Sequence, residues 1–332
     1  MASCREEKET KEEEEKIMPL FEQTKQSIPS NLLKDRYGWP PFSVLNTISH
    51  DWQRRKDEWE ILFQDSTVGR DVKRYNATPT NTFSARGANA KKAESVSEFD
   101  PYLAELMYRW FSTENAKILD PFAGGCVRGV VASVLGRKYM GIDLSLNQVE
   151  ANRIQYSQLR DHYTNLAGAS LWVPGDSEEV LDRAEENYFD MVFTCPPYYN
   201  LEQYTKDPAD LSRLPTYEDF LHKYSSILYK ATQKLKDNSF FVIVVSEVRA
   251  ECRGVENSQY LGLVPDTIHI LRDKCNLHYY NEIILYNNLG SLPIRAPKQF
   301  DRTRKIGRCH QNILVFYKGN LSTIEEKFGK FA

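Results

Sequence analysis

From residue 97 onward the chain alternates two textures. Short apolar runs, "AKILD", "KYMGID", "SLWVP" and "FDMVFT", are separated by stretches in which apolar residues recur at helical spacing, such as "RGVVASVLG" and "NQVEANRIQYSQLRDHY". Apolar runs without inside–outside alternation read as strands buried on both faces, and the helices between them are the crossovers that parallel strands need. Three later runs, "SFFVIVVSEV", "YYNEIILYNN" and "NILVFYKG", complete a set of seven strands. The last two lie close together with no full helix expected between them, which predicts an antiparallel strand at the sheet edge. The expected fold is an open, doubly wound, mostly parallel α/β sheet.

The segment before that sheet is of another kind. Residues 1–16 are charged and almost free of apolar side chains, and 1–36 is expected as an acidic, solvated tail. Residues 37–96 are irregular, with "YGWPPF" and "SARGANAKK", around one helical stretch, "DWQRRKDEWEILF". There Trp52, Trp59, Leu62 and Phe63 recur near helical spacing, so this extension is expected to pack on the main domain of 97–320. A short tail, 321–332, follows. "SEFDPYLAELMYRWF" opens the domain with Asp100 as helix cap and Pro101 in the first turn.

Composition narrows the functional classes. The net charge of −3 carries no overall basic signature, so any nucleic-acid contact must be local. No apolar run is long enough for a membrane helix. The six cysteines are scattered without a paired-cysteine motif, which predicts neither a metal site nor a disulfide framework and suits a reducing, cytoplasmic setting.

Ligands of such sheets bind at the carboxyl ends of the strands. The first end reads "ILDPFAGGCVRG": Asp120, then Pro121, Phe122, Ala123, Gly124 and Gly125, glycines that let backbone N–H groups approach a ligand. The second, "GIDLS", places Asp143 and Leu144, a carboxylate able to accept from ribose hydroxyls. The third, "PGDS", offers Asp176 and Ser177 for an adenine amine. The fourth, "FTCPPYY", ends a buried strand in a stiff aromatic turn, Thr194, Cys195, Pro196, Pro197 and Tyr198. Singly these have blander readings: the aspartates as helix caps and the glycines as a tight turn. Their succession at four consecutive strand ends favours a cofactor site.

That order resembles the S-adenosylmethionine-dependent amino-methyltransferases of DNA, the N4-cytosine and N6-adenine class, and more narrowly methylases of phage and viral genomes. "DPFAGG" is similar to their first cofactor motif, "GIDLS" to their ribose acid and "TCPPYY" to their catalytic motif. "SEFDP", with Phe99 and Pro101, and "HQNILVFYKG" extend the resemblance across roughly 97–318. It implies a class I, Rossmann-like methyltransferase fold, S-adenosyl-L-methionine as cofactor, no metal, and DNA as partner to a monomer or homodimer in the cytoplasm, at the nucleoid. It also implies a clamp. The Pro196 carbonyl and the Cys195 side chain would accept the amine protons, Thr194 sharing the task, while Tyr198 stacks on a flipped base.

Two residues depart from the family pattern. Cys195 stands where relatives carry Asp, Asn or Ser; its Ser-like size favours N4 of cytosine, with N6 of adenine as the alternative. Cys126 stands where glycine is usual. For DNA contact, Tyr204 is a candidate wedge. The stretch 290–310, read as an extended loop, supplies Arg295, Lys298, Arg302, Arg304, Lys305 and Arg308 against Asp301. RNA or protein methylation and a non-catalytic DNA-binding descendant remain the competing classes.

Overall fold

The computed structural model describes residues 30–63, 99–163, 166–199, 205, 207–249 and 259–329. The N-terminal tail, most of the stretch before the main domain and Tyr204 therefore lie outside the described residues. The chain divides into a unit of 1–41 with 331–332 and a larger unit of 42–330. In the first, the described part contains a helix, Ser30–Tyr37 (α1).

The larger unit opens with a short strand, Val44–Asn46 (β1), and a helix, His50–Glu60 (α2), capped by Ser49. Pro101–Phe111 (α3) follows, with the Asp100 carboxylate accepting from the N–H groups of Tyr102 and Leu103. Then come Lys117–Asp120 (β2), Val127–Val134 (α4), Lys138–Asp143 (β3), Leu146–His162 (α5) and Ala169–Pro174 (β4). Ser177–Asp182 (α6), Phe189–Thr194 (β5), Tyr217–Lys234 (α7) and Leu235–Val245 (β6) complete the alternating part. Leu263–His269 (α8), His278–Tyr286 (β7), Leu292–Thr303 (α9), His310–Lys318 (β8) and Ile324–Phe328 (α10) end it.

The strands form one sheet in the order β1-β7-β8-β6-β5-β2-β3-β4. All neighbours run parallel except β8, which is antiparallel to both β6 and β7. The seven strands read from the sequence are present, and β1 adds an eighth by pairing parallel to β7. The extension before the main domain thus contributes to the sheet itself. Its helix α2 is stapled to α3: Trp52 Nε1 donates to Asp100 at 3.0 Å, and Trp59 Nε1 donates to Glu105 at 2.6 Å. Arg55 also pairs with the buried Glu105, whose carboxyl is held below its usual value against the opposing effect of burial. Tryptophan is large enough to dominate such a contact, and both indoles are buried.

One expectation is overturned here. The stretch read as an extended loop between β7 and β8 contains α9. Pro293 lies in the first turn, where the missing N–H costs no helical bond. Pro297 does cost one, but α9 buries no side chain and water reaches the exposed backbone.

Candidate functional site

The sheet reverses its winding at β2. From there the chain steps outward through β3 to β4, and in the other direction through β5 to β6. A crevice opens where neighbouring connections leave on opposite faces, here between the carboxyl ends of β2 and β5. The Gly-rich turn, Asp143 and "TCPPYY" all converge on it.

The turn after β2 is held from three sides. Gly124 takes φ +53°, a left-handed conformation that glycine adopts without a Cβ penalty. Its N–H donates to Asp143 at 2.9 Å, and its carbonyl accepts from the buried Asn152 side chain at 2.7 Å. A Cβ built at Gly124 would meet nothing within 4 Å, so open space lies beside this backbone. Asp143 also accepts from the Ser145 N–H at 2.8 Å. Burial, with the negative charges of Asp120 and Asp210, pushes its carboxyl up to about 6 in spite of those two hydrogen bonds. It nevertheless keeps some exposed surface, as do Leu144, Gly124 and Gly125.

Asp120 has a different role from the one its position suggests. It is 0% exposed. Its carboxylate accepts from Arg128 Nε at 2.6 Å, Tyr139 at 2.8 Å, Thr194 Oγ1 at 2.7 Å and the Phe122 N–H at 3.1 Å. Four donors saturate a buried carboxylate, leaving it as a fastening inside the crevice floor. The opposite member, Arg128, also donates to the carbonyls of Phe122 and Ala123 at 2.6 and 3.0 Å, so one guanidinium fixes the turn's geometry. Phe99 lies over that guanidinium at 4.5 Å and meets Phe193 edge-on. Arg128 was not singled out in the sequence, although its partners Asp120, Phe122 and Ala123 precede it closely, at the end of β2 and in the turn.

Thr194 requires the same correction. Its hydroxyl is buried and donates to Asp120, so it does not share in accepting protons at the strand tip. Pro101, Pro121, Ala123, Ser177 and Pro196 are buried as well. Pro101 starts α3 inside the core, and Ser177 Oγ donates to the Pro121 carbonyl, tying the third strand end to the first. Among the named candidates on the crevice, Phe99, Phe122, Gly124, Gly125, Asp143, Leu144, Asp176, Cys195, Pro197 and Tyr198 keep exposed surface.

Asp176 caps α6 through the Glu178 N–H at 3.0 Å and pairs with Lys223 at 2.6 Å. Lys223 Nζ also donates to the Ala209 carbonyl at 2.9 Å, linking α7 to the loop after "TCPPYY". In that loop the buried Asp210 gathers Thr205 and Ser212. Lys223 and Asp210 were not singled out by the sequence.

The aromatic turn is braced at its far end. Tyr198 Oη accepts from Gln311 Nε2 at 3.0 Å and lies 3.5 Å from Cys195 Sγ. Tyr199 takes φ +48°, rare for an aromatic residue, and its ring contacts Tyr217 and Phe220 edge-on. The turn's peptide bonds are trans. Cys126, the other departure, is buried with Sγ 2.8 Å from Gln155 Oε1, so it points to α5, while Gly124 and Gly125 before it keep exposed surface.

The basic stretch splits in two. Lys298, Arg302 and Arg304 are exposed on α9 and just beyond it, while Arg295 bonds Ser291 Oγ at 3.1 Å and Lys305 is half-buried. Arg308 is drawn inward to Ser246 Oγ, the His310 carbonyl and Asn312, so it is a brace between β6 and β8 rather than a phosphate contact. Since β7 runs parallel to β5 and β6, α9 leaves from the same edge of the sheet as the crevice. Among the described residues no cluster suited to a metal ion is present, and no helix is long and apolar enough to cross a membrane.

No family model matches the chain. A type II beta methyltransferase, M.BslI of Bacillus sp. (strain NEB-606), is 28% identical over 88 residues, which is 26% of this chain and 9% of that protein. An S-adenosylmethionine-dependent methyltransferase of Methanosarcina mazei superposes with TM-score 0.42 at 11% identity, covering 64% of this chain and 97% of that one. A protein assigned as a DNA modification methylase of Thermus thermophilus, solved with S-adenosyl-L-methionine, gives TM-score 0.33 at 25% identity over 44% of this chain and 54% of that one. The strand order of this sheet, with its single antiparallel strand between β6 and β7, is that of the class I methyltransferase fold.

Proposed function

We propose that this chain transfers a methyl group from S-adenosyl-L-methionine to the exocyclic amine of a flipped DNA base, N4 of cytosine. The observation that carries the reading is the placement of an anchored aromatic turn beside a glycine turn and a largely buried carboxylate in one crevice. S-adenosyl-L-methionine supplies an electrophilic methyl carried on a sulfonium. Asp143 takes the ribose hydroxyls, the Gly124–Gly125 backbone lies along the cofactor, and Asp176, held by Lys223, faces the adenine edge.

Tyr198 stacks on the base, and the Pro196 carbonyl with Cys195 Sγ accepts the two amine protons. That draws the nitrogen lone pair out of the ring and toward the methyl carbon. The nitrogen–carbon bond forms as the sulfonium–carbon bond breaks, and one amine proton leaves to solvent. Near-attack geometry of this kind supplies several kcal/mol of a barrier, which is a reason for two prolines in the turn. Lys298, Arg302 and Arg304 meet phosphates at the same edge of the sheet. A DNA substrate places the work inside the cell.

The test is mass spectrometry of nucleosides after incubation of unmethylated DNA with the protein and cofactor, alongside Asp143→Ala and Tyr198→Ala. N4-methylcytosine is expected from the unaltered chain, with cofactor binding lost in Asp143→Ala and retained in Tyr198→Ala, both inactive. N6-methyladenine would keep the mechanism and change the base. Bound cofactor with methylated RNA, or with no methylated nucleoside, would overturn the DNA reading.

A further inference from the structure

We propose that Gln311 is a positioning residue for the transfer, acting through the Tyr198 hydroxyl; the catalytic part of this rests on the function proposed above. Gln311 is the second residue of β8, paired across the sheet with Leu285 of β7. It belongs to neither the aromatic turn nor the cofactor motifs. Its Nε2 donates to Tyr198 Oη at 3.0 Å, and its Oε1 accepts from Asn287 Nδ2 at 3.4 Å. Asn287 is in turn fixed by its backbone, whose N–H donates to the Cys309 carbonyl at 2.9 Å.

The direction of the proton follows. An amide nitrogen can only donate, so the phenol oxygen is the acceptor in that pair. The same hydroxyl lies 3.5 Å from Cys195 Sγ, a contact in which either atom can donate. Two consequences arise. The tyrosine ring is pinned at both Cβ and Oη, so its plane is set before a base arrives, which preorganises stacking. Hydroxyl and sulfur are also held in contact, which fixes the orientation of the Cys195 side chain. An anchor on a strand from the far part of the chain, rather than on the turn itself, is what a rigid clamp requires.

The test is a double-mutant cycle between Gln311→Leu, which keeps bulk and removes the amide, and Tyr198→Phe, which keeps the ring and removes the hydroxyl. Each single change is expected to lower kcat roughly five- to tenfold with cofactor affinity unchanged, the double variant falling no further than Tyr198→Phe alone. Gln311→Glu, of matching volume and unable to donate when ionised, should behave as Gln311→Leu at about pH 8. The second readout needs no acceptor: the iodoacetamide alkylation rate of Cys195, followed by peptide mass spectrometry, should shift by the same factor in the two single variants and the double, because each releases the Cys195 side chain. Multiplicative loss of kcat in the double variant, or an unaltered alkylation rate in Gln311→Leu, would overturn the proposal. If the unaltered protein methylates no DNA, the function reading fails, and the alkylation arm still decides for or against the Gln311 relay.

Discussion

The proposed role of Asp143, whose carboxyl is pushed up to about 6 by burial, predicts that cofactor affinity varies with pH in a range where most carboxylates are silent. If ribose hydroxyls donate to Asp143, only the ionised form accepts both, and binding must expel the proton. At about pH 5 roughly one molecule in ten carries the ionised form, and at about pH 7 roughly nine in ten, so affinity should rise about tenfold, or ~1.4 kcal/mol. The sign for the unliganded protein is opposite. A carboxyl with a raised folded value contributes stability below its unfolded value of about 4, and that stability is lost as pH rises through about 6. The probe of choice is adenosine, whose groups do not titrate in this window, with affinity followed by calorimetry across it. Asp143→Asn should bind more weakly at about pH 8 and show no slope. A flat profile for the unaltered protein, or the same slope in Asp143→Asn, would refute the assignment of Asp143 to the ribose.

Three other perturbations separate the parts of the site. Arg128→Met leaves Asp120 buried with its charge unpaired and should cost ~3–5 kcal/mol, read as a large fall in melting temperature. Gly124→Ala has room for its methyl but a φ of +53°, so thermal unfolding should show a loss of ~1–2 kcal/mol, and cofactor titration a further weakening as the methyl enters the open space. Replacing Lys298, Arg302 and Arg304 together by alanine should weaken DNA binding uniformly across sequences and lower the salt slope by up to about 3, leaving cofactor affinity unchanged. A slope that does not move would remove α9 from the DNA path.

Much of the scaffold was legible along the chain because its signals are local. Continuous apolar runs such as "FDMVFT" identify buried strands, and Asp100 before Pro101 marks a helix start that the structure reproduces. The glycine turn and Asp143 also declared themselves at consecutive strand ends, and their N–H to carboxylate bond joins residues of adjacent units. The reading of 290–310 failed for a local reason too: interleaved Pro, Phe and Gly pointed to an extended loop, although an exposed helix tolerates Pro297 by leaving one carbonyl to water.

What the sequence by itself determined is the order of elements, the strand ends that carry ligand-binding residue types, and the stiffness of the turn at 194–198. Those follow from backbone propensity and apolar periodicity, which act over a few residues. Only the tertiary structure decided which of two strand-end aspartates faces outward. Arg128 of α4, Tyr139 of β3 and Thr194 of β5 close on Asp120 and take it out of solvent, while Asp143 accepts from the backbone N–H groups of Gly124 and Ser145 and keeps an open side. The same holds for Gln311, brought to Tyr198 by the antiparallel insertion of β8 beside β6. A side chain's partner across the fold is set by sheet order and packing, and those are properties of the assembled chain rather than of any window within it.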